Sequence, residues 1–481
     1  MHAALFGATI RRRAGRQARR EADRSFNHVV PFMLSLTDIE DSPTEVSKME
    51  SVCDALAADF SRDNCYRSAH LSMTASENYP SKFVRAMGGA MQGAFYEFAP
   101  PYSTAEGEWH FPDSGAQAAL VQKLAQLGCQ MFQAQTFDWR PNGGAAAEQA
   151  VLLGTCSRGD AFVHFGHQDG GHSSLEELAR KIGIGIFHIP VQEDSLLIDV
   201  QRLAELLAAQ PEIKLVILDQ SFKLRWQPLA EIREIMPPTV TLAYDASHDG
   251  GLILGGVLPQ PLAAGADIVL GNTHKTIPGP QKGYVAFFNA RHPVLKPVSD
   301  WICPYMQSNS HAELLVPFYM ALVEISLFGR PYAQQIVKNA KALALCMHAE
   351  GLRVVGESFG YTETHQVLVS IGSPGEALHA AAHLLALAGI RCNNIEIPGS
   401  GGRHGLRFGV QALTRRGIQE IDMAVIARFI ARVLVRKEPP ELVRNEVALF
   451  LRSFPLHPLA FSLDSQYEEP HAIRLREEVA A

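Results

Sequence analysis

Residues 241–275, TLAYDASHDGGLILGGVLPQPLAAGADIVLGNTHK, decide the fold of this chain. They contain two short apolar runs, at Thr241–Ser247 and Asp267–Gly271, on either side of a segment rich in glycine and proline. Each run is apolar over most of its length, which is typical of a strand buried on both faces of a parallel sheet. Ligands bind at the carboxyl ends of such strands, so the chemistry is expected in the residues that follow each run.

The same pattern extends toward the N-terminus. Further apolar runs lie at Ala161–Phe165, Gly183–Ile189 and Lys214–Gln220, and helix-length segments such as Val200–Gln210 lie between runs. Strands that alternate with helices predict an α/β fold, with a mostly parallel sheet covered by helices on both faces. By contrast, the turn-forming residues of LSMTASENYPS at Leu71–Ser81 favour an ordinary surface loop.

Beyond the predicted sheet, the pattern changes to amphipathic helices at Ala333–Leu345 and Glu376–Leu387, with candidate strands at 352–358 and 365–372. This predicts a smaller α+β domain. The expected organisation is an N-terminal extension and arm over residues 1–65, with 1–40 disordered, followed by a large α/β domain over 66–324 and a small C-terminal domain over 325–481.

Composition excludes several classes of protein. The 481 residues are 47% hydrophobic and 19% charged, with a net charge of −7, which excludes a disordered chain and gives no global electrostatic reason to expect nucleic acid. The seven cysteines are scattered and form no CxxC pair, so neither a disulfide framework nor a metal site is predicted. The sequence contains no run of about 18 consecutive apolar residues, which is the length that a membrane-spanning helix requires. We therefore expect a soluble cytoplasmic protein with no membrane partner.

An arginine-rich segment stands apart from this composition. Seven arginines fall within residues 1–25. The segment is expected to be a disordered extension or a start codon placed too early, and the alternative is a functional basic arm.

Lysine and aspartate follow the two strands that decide the fold. Lys275 comes after the second run among small residues and prolines, and Asp245 ends the first run, with His248 three positions on. A lysine so placed can form a Schiff base with an aldehyde, and a buried carboxylate can keep a pyridine nitrogen protonated. These are the two groups that pyridoxal phosphate requires.

Two glycine-containing turns provide weaker signals. Gly143 and Gly144 precede a helical run, where main-chain N–H groups can hold a phosphate. Gly170 and Gly171 place His172 after a strand, where its ring could stack on a cofactor. A purely structural histidine is the alternative.

Five motifs occur in a fixed order along the chain. They are TASEN at Thr74–Asn78, GGH at Gly170–His172, DASH at Asp245–His248, THKT at Thr273–Thr276 and GLRFGVQALTRRG at Gly405–Gly417. Their order and spacing resemble those of serine hydroxymethyltransferases, which are pyridoxal-phosphate enzymes of fold type I (aspartate aminotransferase-like). Further runs include GEWHFP at Gly107–Pro112, FDWRPNGG at Phe137–Gly144 and FPLHPLAFS at Phe454–Ser462. These runs resemble the L-threonine transaldolases of the obafluorin β-lactone pathway within that superfamily.

The resemblance assigns a role to each matching residue. It implies catalytic roles for Lys275, His172, Asp245 and Tyr96, and a substrate carboxylate site at Arg407, Ser76 and Tyr96. It implies a homodimer, or a tetramer, with the active site at the subunit interface, because one loop reaches the neighbouring subunit's phosphate. The implied cofactor-binding residues are Lys275, Asp245, His248, His172, Ser221, His274, Gly143, Gly144, Ala145 and, on that loop, Gln307, Ser308 and Asn309.

The departures from the hydroxymethyltransferase pattern bear on function. In the hydroxymethyltransferases a glutamate lies two residues after the tyrosine that Tyr96 matches. Here that position is Phe98, although Glu97 keeps an alignment shifted by one residue open. The folate-side segment also differs, as NNIEIPGSGGRHG at Asn393–Gly405. The resemblance therefore implies L-threonine transaldolase activity. In that reaction retro-aldol cleavage of L-threonine releases acetaldehyde, and the glycyl carbanion adds to a second aldehyde to give a β-hydroxy-α-amino acid.

Three alternatives stay open at this point. The first two are a folate-using hydroxymethyltransferase and a threonine aldolase, and the third is a non-catalytic homologue whose basic arm binds nucleic acid. The acceptor aldehyde is expected to be aromatic if Phe98, Tyr102, Trp109 and Phe111 line its pocket, but these side chains could equally belong to the core.

Overall fold

A computed structural model describes residues 45–86, 116–172, 174–309 and 311–466 of the chain. The chain divides into two compact units, residues 1–64 and residues 65–481. The described part of the first unit is helical, and the fold below is that of the second. The arginine-rich segment, Tyr96 and the four aromatic residues of the predicted acceptor pocket lie outside the described residues.

Fifteen short strands lie within the described part of the second unit. Several of them coincide with the apolar runs seen in the sequence. In chain order they are β1 (Leu71–Ser72), β2 (Thr136–Asp138), β3 (Ala161–His164), β4 (Gly185–His188), β5 (Val191–Gln192), β6 (Leu197–Ile198), β7 (Ile213–Leu218), β8 (Thr241–Asp245), β9 (Ile268–Asn272), β10 (Gly283–Phe287), β11 (Arg353–Val354), β12 (Gln366–Gly372), β13 (Ile390–Arg391), β14 (Asn393–Glu396) and β15 (His404–Gly409).

The described residues also form α-helices. In chain order they are α1 (Glu45–Ser68), α2 (Lys82–Ala86), α3 (Ala116–Phe132), α4 (Gly144–Thr155), α5 (Ser174–Ile182), α6 (Val200–Ala209), α7 (Leu229–Ile235), α8 (Gly250–Leu254), α9 (Leu295–Asp300), α10 (Leu315–Ala349), α11 (Pro374–His379), α12 (Gln411–Arg415), α13 (Glu420–Leu434) and α14 (Pro440–Leu451).

A seven-stranded sheet forms the centre of the fold. Its strand order is β2-β10-β9-β8-β7-β3-β4, and the pairs from β9 through to β4 are all parallel. Strand β10 is antiparallel to both β2 and β9. The predicted α/β fold with a mostly parallel sheet is therefore confirmed.

Alternate residues of each central strand face two separate cores. In β7, Val216 and Leu218 lie in the core that contains α10, whereas Leu215 and Ile217 lie in the core that contains α4 and α9. Side chains buried on both faces explain why these strands are apolar throughout instead of alternating. The polar residues are consequently confined to the strand ends.

A second sheet of four antiparallel strands, β11-β12-β15-β14, follows α10. The candidate strand at 352–358 is shorter than predicted, because only Arg353–Val354 pair before the chain turns into a 3-10 helix at Glu357–Phe359. The proposed domain boundary at residue 325 falls inside α10. The division into large and small domains stays a prediction.

Helix α10 and its flank, residues 312–349, are long and apolar enough to cross a membrane by length and composition, but half of the most apolar window is buried in the protein. Glu324 lies in this helix and is almost fully buried. Its Oε2 is 3.1 Å from Nη2 of Arg415, and its Oε1 accepts a hydrogen bond from the main-chain N–H of Leu463. These buried polar contacts mark α10 as a core helix that holds the chain's C-terminal segment.

The segment Leu71–Ser81 is not the surface loop that its composition favours. Strand β1 pairs in parallel with β13, and Gln411 donates hydrogen bonds from Nε2 to the carbonyls of Thr74 and Glu77. The prediction was wrong because the side chain that satisfies this turn comes from more than 300 residues away.

The turn that carries His172 depends on a close backbone approach. A Cβ atom added to Gly171 would lie 1.8 Å from the carbonyl oxygen of Phe165. Only glycine fits there, so this turn fixes where His172 emerges from the sheet edge.

We therefore predict that Gly171→Ala lowers the free energy of unfolding by about 1–3 kcal/mol, the usual range for an overpacked site, and displaces His172. Gly375→Ala is the matched control, because its added methyl group meets no atom within 4 Å and alanine favours its helix. Urea unfolding of both variants checks this. An unchanged stability of the Gly171 variant would contradict the packing argument.

Candidate active site

The carboxyl ends of β8 and β9 bring Asp245 and Lys275 to one edge of the sheet. Asp245 is buried, and its Oδ1 accepts a hydrogen bond of 2.6 Å from the main-chain N–H of Ser247. Burial lowers the pKa of Lys275 to about 8, and the positive charge of Arg407 acts in the same direction against the opposing effect of Asp245. The structure thus brings the predicted lysine and carboxylate together, with an amine that is partly neutral near pH 8.

A second lysine, Lys223, lies near this pair. Nζ of the buried Lys223 is 3.0 Å from the hydroxyl of Tyr244, from the carbonyl oxygen of Asp245 and from Oδ2 of Asp249. Tyr244 also donates a hydrogen bond to Asp249. Sequence reasoning missed Lys223, which contacts Tyr244 and Asp245 at the end of β8. Its only sequence signal is a lysine soon after the strand end at Leu218.

His172 lies beside these groups with its side chain 44% exposed. Its Nδ1 is 2.7 Å from Oγ of Ser174 and 3.5 Å from Oε2 of Glu148. Burial lowers the pKa of the ring, with the charge of Asp245 opposing this effect. A neutral ring held at its edge leaves a face open for stacking on a flat ligand.

Glu148 is the main residue that sequence reasoning missed. It lies in α4, is only 2% exposed, and hydrogen-bonds to Asp245. Burial and the negative charge of Asp245 raise the pKa of Glu148 well above its ordinary value. The surroundings of Glu148 therefore favour its protonated, uncharged form beside Asp245. An acidic residue within the alanine run of this helix, at residues 145–150, was the available signal.

His248 and His365 form a second buried pair. Their rings are stacked with centroids 5.5 Å apart, and Nδ1 of His248 is 3.4 Å from Nε2 of His365. Nε2 of His365 also lies 3.2 Å from the carbonyl oxygen of Ala75. Burial lowers the pKa of His248 well below its usual range and that of His365 to about 3. Both rings are therefore neutral, and they connect the turn next to Ser76 with the site.

Arg407 enters the site from β15. Its Nε donates to Oδ1 of Asn393, its partner across the strand pair, at 3.2 Å, and its Nη1 donates to the carbonyl of Ser221 at 2.9 Å. The guanidinium lies over the ring of Phe222 at 4.9 Å, and Nη2 makes no hydrogen bond to the part of the chain described. Burial lowers the pKa of Arg407 to about 10, so it stays cationic. It is placed to bind a carboxylate.

The start of α4 provides a site for an anion. Gly143 is the N-cap and makes no side-chain capping bond, so the first-turn N–H groups, including that of Ala145, lack a side-chain cap. A Cβ on Gly144 would lie 2.8 Å from Oγ of Ser247, which shows how closely the helix approaches the strand ends. His274 lies on the adjacent loop, and burial lowers its pKa to about 4. Main-chain N–H groups at a helix start suit a phosphate.

The structure says less about the roles of the remaining predicted residues. Gln307 donates from Nε2 to the carbonyl of Arg140 in its own chain at 2.9 Å, and Ser308 and Asn309 follow it on the same loop. Contact of this loop with a second subunit stays a prediction, as do the roles of Ser76 and Ser221. Tyr96 lies outside the described residues.

These groups fit one kind of cofactor. A carboxylate at a strand end, a lysine with a lowered pKa, an open histidine face and uncapped helix N–H groups match the pyridine nitrogen, aldehyde, ring and phosphate of pyridoxal phosphate. The buried Nδ1 atom of His274 is a further polar atom near the start of α4, and it has no hydrogen-bond partner among the residues that the structure describes.

Comparison with known families agrees with this geometry. The family profile for serine hydroxymethyltransferase matches residues 49–430. The serine hydroxymethyltransferase of Thermococcus onnurineus is 34% identical over 404 residues, covering 81% of this chain and 92% of that protein. That of Thermococcus gammatolerans is 34% identical over 436 residues, covering 87% and 97%.

A solved structure provides a more similar relative. The crystal structure of L-threonine transaldolase from Pseudomonas fluorescens, in its internal aldimine state, is 54% identical to this chain. The two superpose with a TM-score of 0.87, over 88% of this chain and 96% of the other. The similarity therefore spans nearly the whole of both chains.

We predict that the reaction of the Lys275 amine with aldehydes depends on pH, with a midpoint set by the pKa of about 8. Below that pH the amine is protonated and unreactive, so labelling should rise through pH 8. Asp245→Asn removes a charge that raises this pKa and should move the midpoint to lower pH. Competitive reductive methylation of the apoprotein, followed by peptide mass spectrometry, measures both profiles.

The same peptide in the denatured chain is the control, where an ordinary lysine pKa of about 10.4 applies. A native midpoint equal to the denatured one would contradict the assignment of Lys275 as a desolvated amine.

Proposed function

The chain belongs to the serine hydroxymethyltransferase family of fold type I pyridoxal-phosphate enzymes, and within that family we propose that it is an L-threonine transaldolase. In this proposal it cleaves L-threonine to acetaldehyde and transfers the glycyl carbanion to a second aldehyde. The product is a β-hydroxy-α-amino acid.

One observation carries the proposal. Identity to the Pseudomonas fluorescens transaldolase is 54% over 88% of the chain, against 34% to the archaeal hydroxymethyltransferases. The departures from the folate-side pattern support the same choice, since one of them, the segment beginning at Asn393, contributes the side chain that holds Nε of Arg407.

The residues of the site have distinct tasks in this reaction. Bound pyridoxal phosphate supplies an electron sink for the pair released when the Cα–Cβ bond breaks. Arg407 would bind the amino acid carboxylate and so restrict rotation about the N–Cα bond of the substrate, which would favour cleavage of the Cα–Cβ bond. Lys275 supplies the amine that holds the cofactor, and His172 covers the ring face.

Glu148 adjusts the charge on which the electron sink depends. Asp245 must keep the pyridine nitrogen protonated, and a neutral Glu148 that donates a hydrogen bond to Asp245 delocalises that carboxylate's charge. Because Glu148 is itself uncharged, it adds no second negative charge beside the ring.

The wider setting is proposed on the same basis. We propose a cytoplasmic homodimer, or a tetramer built from dimers, in which the loop of Gln307, Ser308 and Asn309 reaches the partner's phosphate site. An aromatic aldehyde is the proposed acceptor. A hydroxymethyltransferase is the second candidate function, favoured by the profile match over residues 49–430.

The deciding experiment mixes holoenzyme and L-threonine with an aromatic aldehyde in the absence of folate. Acetaldehyde release together with an aryl β-hydroxy amino acid supports the transaldolase. Glycine as the sole amino acid product identifies an aldolase, and turnover that requires serine and tetrahydrofolate identifies a hydroxymethyltransferase. Lys275→Ala should abolish every one of these activities.

We predict that Arg407→Lys lowers kcat/KM for L-threonine by roughly 10–100-fold, the effect of losing about 1.5–3 kcal/mol from a hydrogen bond between charged groups. Arg403→Lys is the matched control, because Arg403 is an exposed arginine four residues earlier. Steady-state kinetics on both variants tests the prediction. Equal kinetics for the two would remove Arg407 from the carboxylate site.

A further inference from the structure

Three potential metal ligands meet at the edge of the central sheet, and none of them is among the groups assigned above. His164 ends β3, His188 ends the neighbouring strand β4, and the two are paired in register. Glu176 lies in the first turn of α5, which connects these strands. Their nearest ligand atoms all lie within 4.8 Å of one another.

The distances suit a tetrahedral ion. Oε1 of Glu176 is 3.5 Å from Nε2 of His164 and 3.3 Å from Nε2 of His188. Ligands bound to Zn²⁺ at about 2.0–2.1 Å in tetrahedral geometry are separated by roughly 3.3–3.4 Å. The two separations from Glu176 therefore already lie near the spacing that a bound ion would require.

His164 shows the orientation expected of a ligand. The residue is fully buried, and its Nδ1 lies 3.0 Å from Oδ2 of Asp219. A hydrogen bond donated from Nδ1 to Asp219 leaves a lone pair on Nε2, and Nε2 has no hydrogen-bond partner in the described structure. A carboxylate that orients a histidine from its far nitrogen is the usual outer contact of a zinc ligand.

The surrounding charges allow a cation. Arg180 contacts the other carboxylate oxygen of Glu176, Oε2, and not the one shared by the histidines. Its side chain is 53% exposed, so water screens its charge. Asp169 and Asp219 add negative charge near the two histidines.

We propose that His164, Glu176 and His188 bind a divalent transition-metal ion, with Zn²⁺ as the best match to two imidazoles and one carboxylate. Water would occupy the fourth position, because His188 is at the protein surface. The ion would join two strand ends and α5, and would act as a structural clamp outside the reaction itself. The three ligands are separated by eleven residues each, so no short motif reveals them in the sequence.

The test measures metal binding to the holoenzyme. Equilibrium dialysis against Zn²⁺, and Co²⁺ titration monitored by visible absorption, should show one bound ion per chain and a tetrahedral Co²⁺ spectrum. His188→Ala and Glu176→Gln should each lose that ion and that spectrum. Zn²⁺ should raise the melting temperature of the parent protein and leave that of the His188 variant unchanged.

His383→Ala is the matched control. His379 and His383 form a separate histidine pair, with ring centroids 5.5 Å apart, and this variant should bind the ion as the parent does. The proposal is overturned if the parent binds no ion, if His188→Ala binds it equally well, or if His383→Ala abolishes binding. Because the readout is the bound metal and not turnover, this outcome is independent of the proposed transaldolase activity.

Discussion

The burial of a carboxylate at the end of β8 is the constraint on which the site depends. The central strands pack side chains on both faces, so polar groups are accommodated only where the strands end. Asp245 occupies such an end, and an unpaired charge there would be costly. Three neighbouring residues offset this free-energy cost. Ser247 donates a main-chain hydrogen bond, Lys223 binds the carbonyl of the same residue, and Glu148 contributes a hydrogen bond without adding charge.

The same constraint explains the state of the amine. Lys275 shares the desolvated edge with Arg407 and Lys223, and its pKa falls to about 8 even though Asp245 opposes the change. A carboxylate that paired fully with Lys275 would keep its amine protonated. The Asp245 carboxylate is already bonded to Ser247 and Glu148, so it interacts with Lys275 less strongly. The partial neutrality of Lys275 is therefore a property of the whole cluster and not of the lysine's own loop.

Sequence reasoning predicted the parts of the structure that depend on local pattern. The apolar runs gave the strands, and a lysine, an aspartate and a histidine just after strand ends gave much of the cluster, because strand ends in a parallel sheet meet at one edge. Sequence reasoning did not predict Glu148, Lys223 and His365, because the residues that surround them in the site come from distant segments of the chain. His365 bonds to Ala75 across 290 residues, and the burial of Leu71–Ser81 under Gln411 was missed for the same reason.

Asp219 connects the catalytic edge with the proposed metal site. Its Oδ1 accepts the main-chain N–H of Phe165, while its Oδ2 lies 3.0 Å from the ring of His164 and accepts the main-chain N–H of His172 at 3.4 Å. A carboxylate is planar and rigid, so a displacement of His164 that moved Asp219 would also move the backbone that presents His172. An ion that fixed His164 would thus stiffen the turn on which the cofactor-facing ring depends, at a point where Gly171 leaves no room for a side chain. The rigidity of the sheet edge and the position of the His172 ring would then both depend on the hydrogen bonds of Asp219.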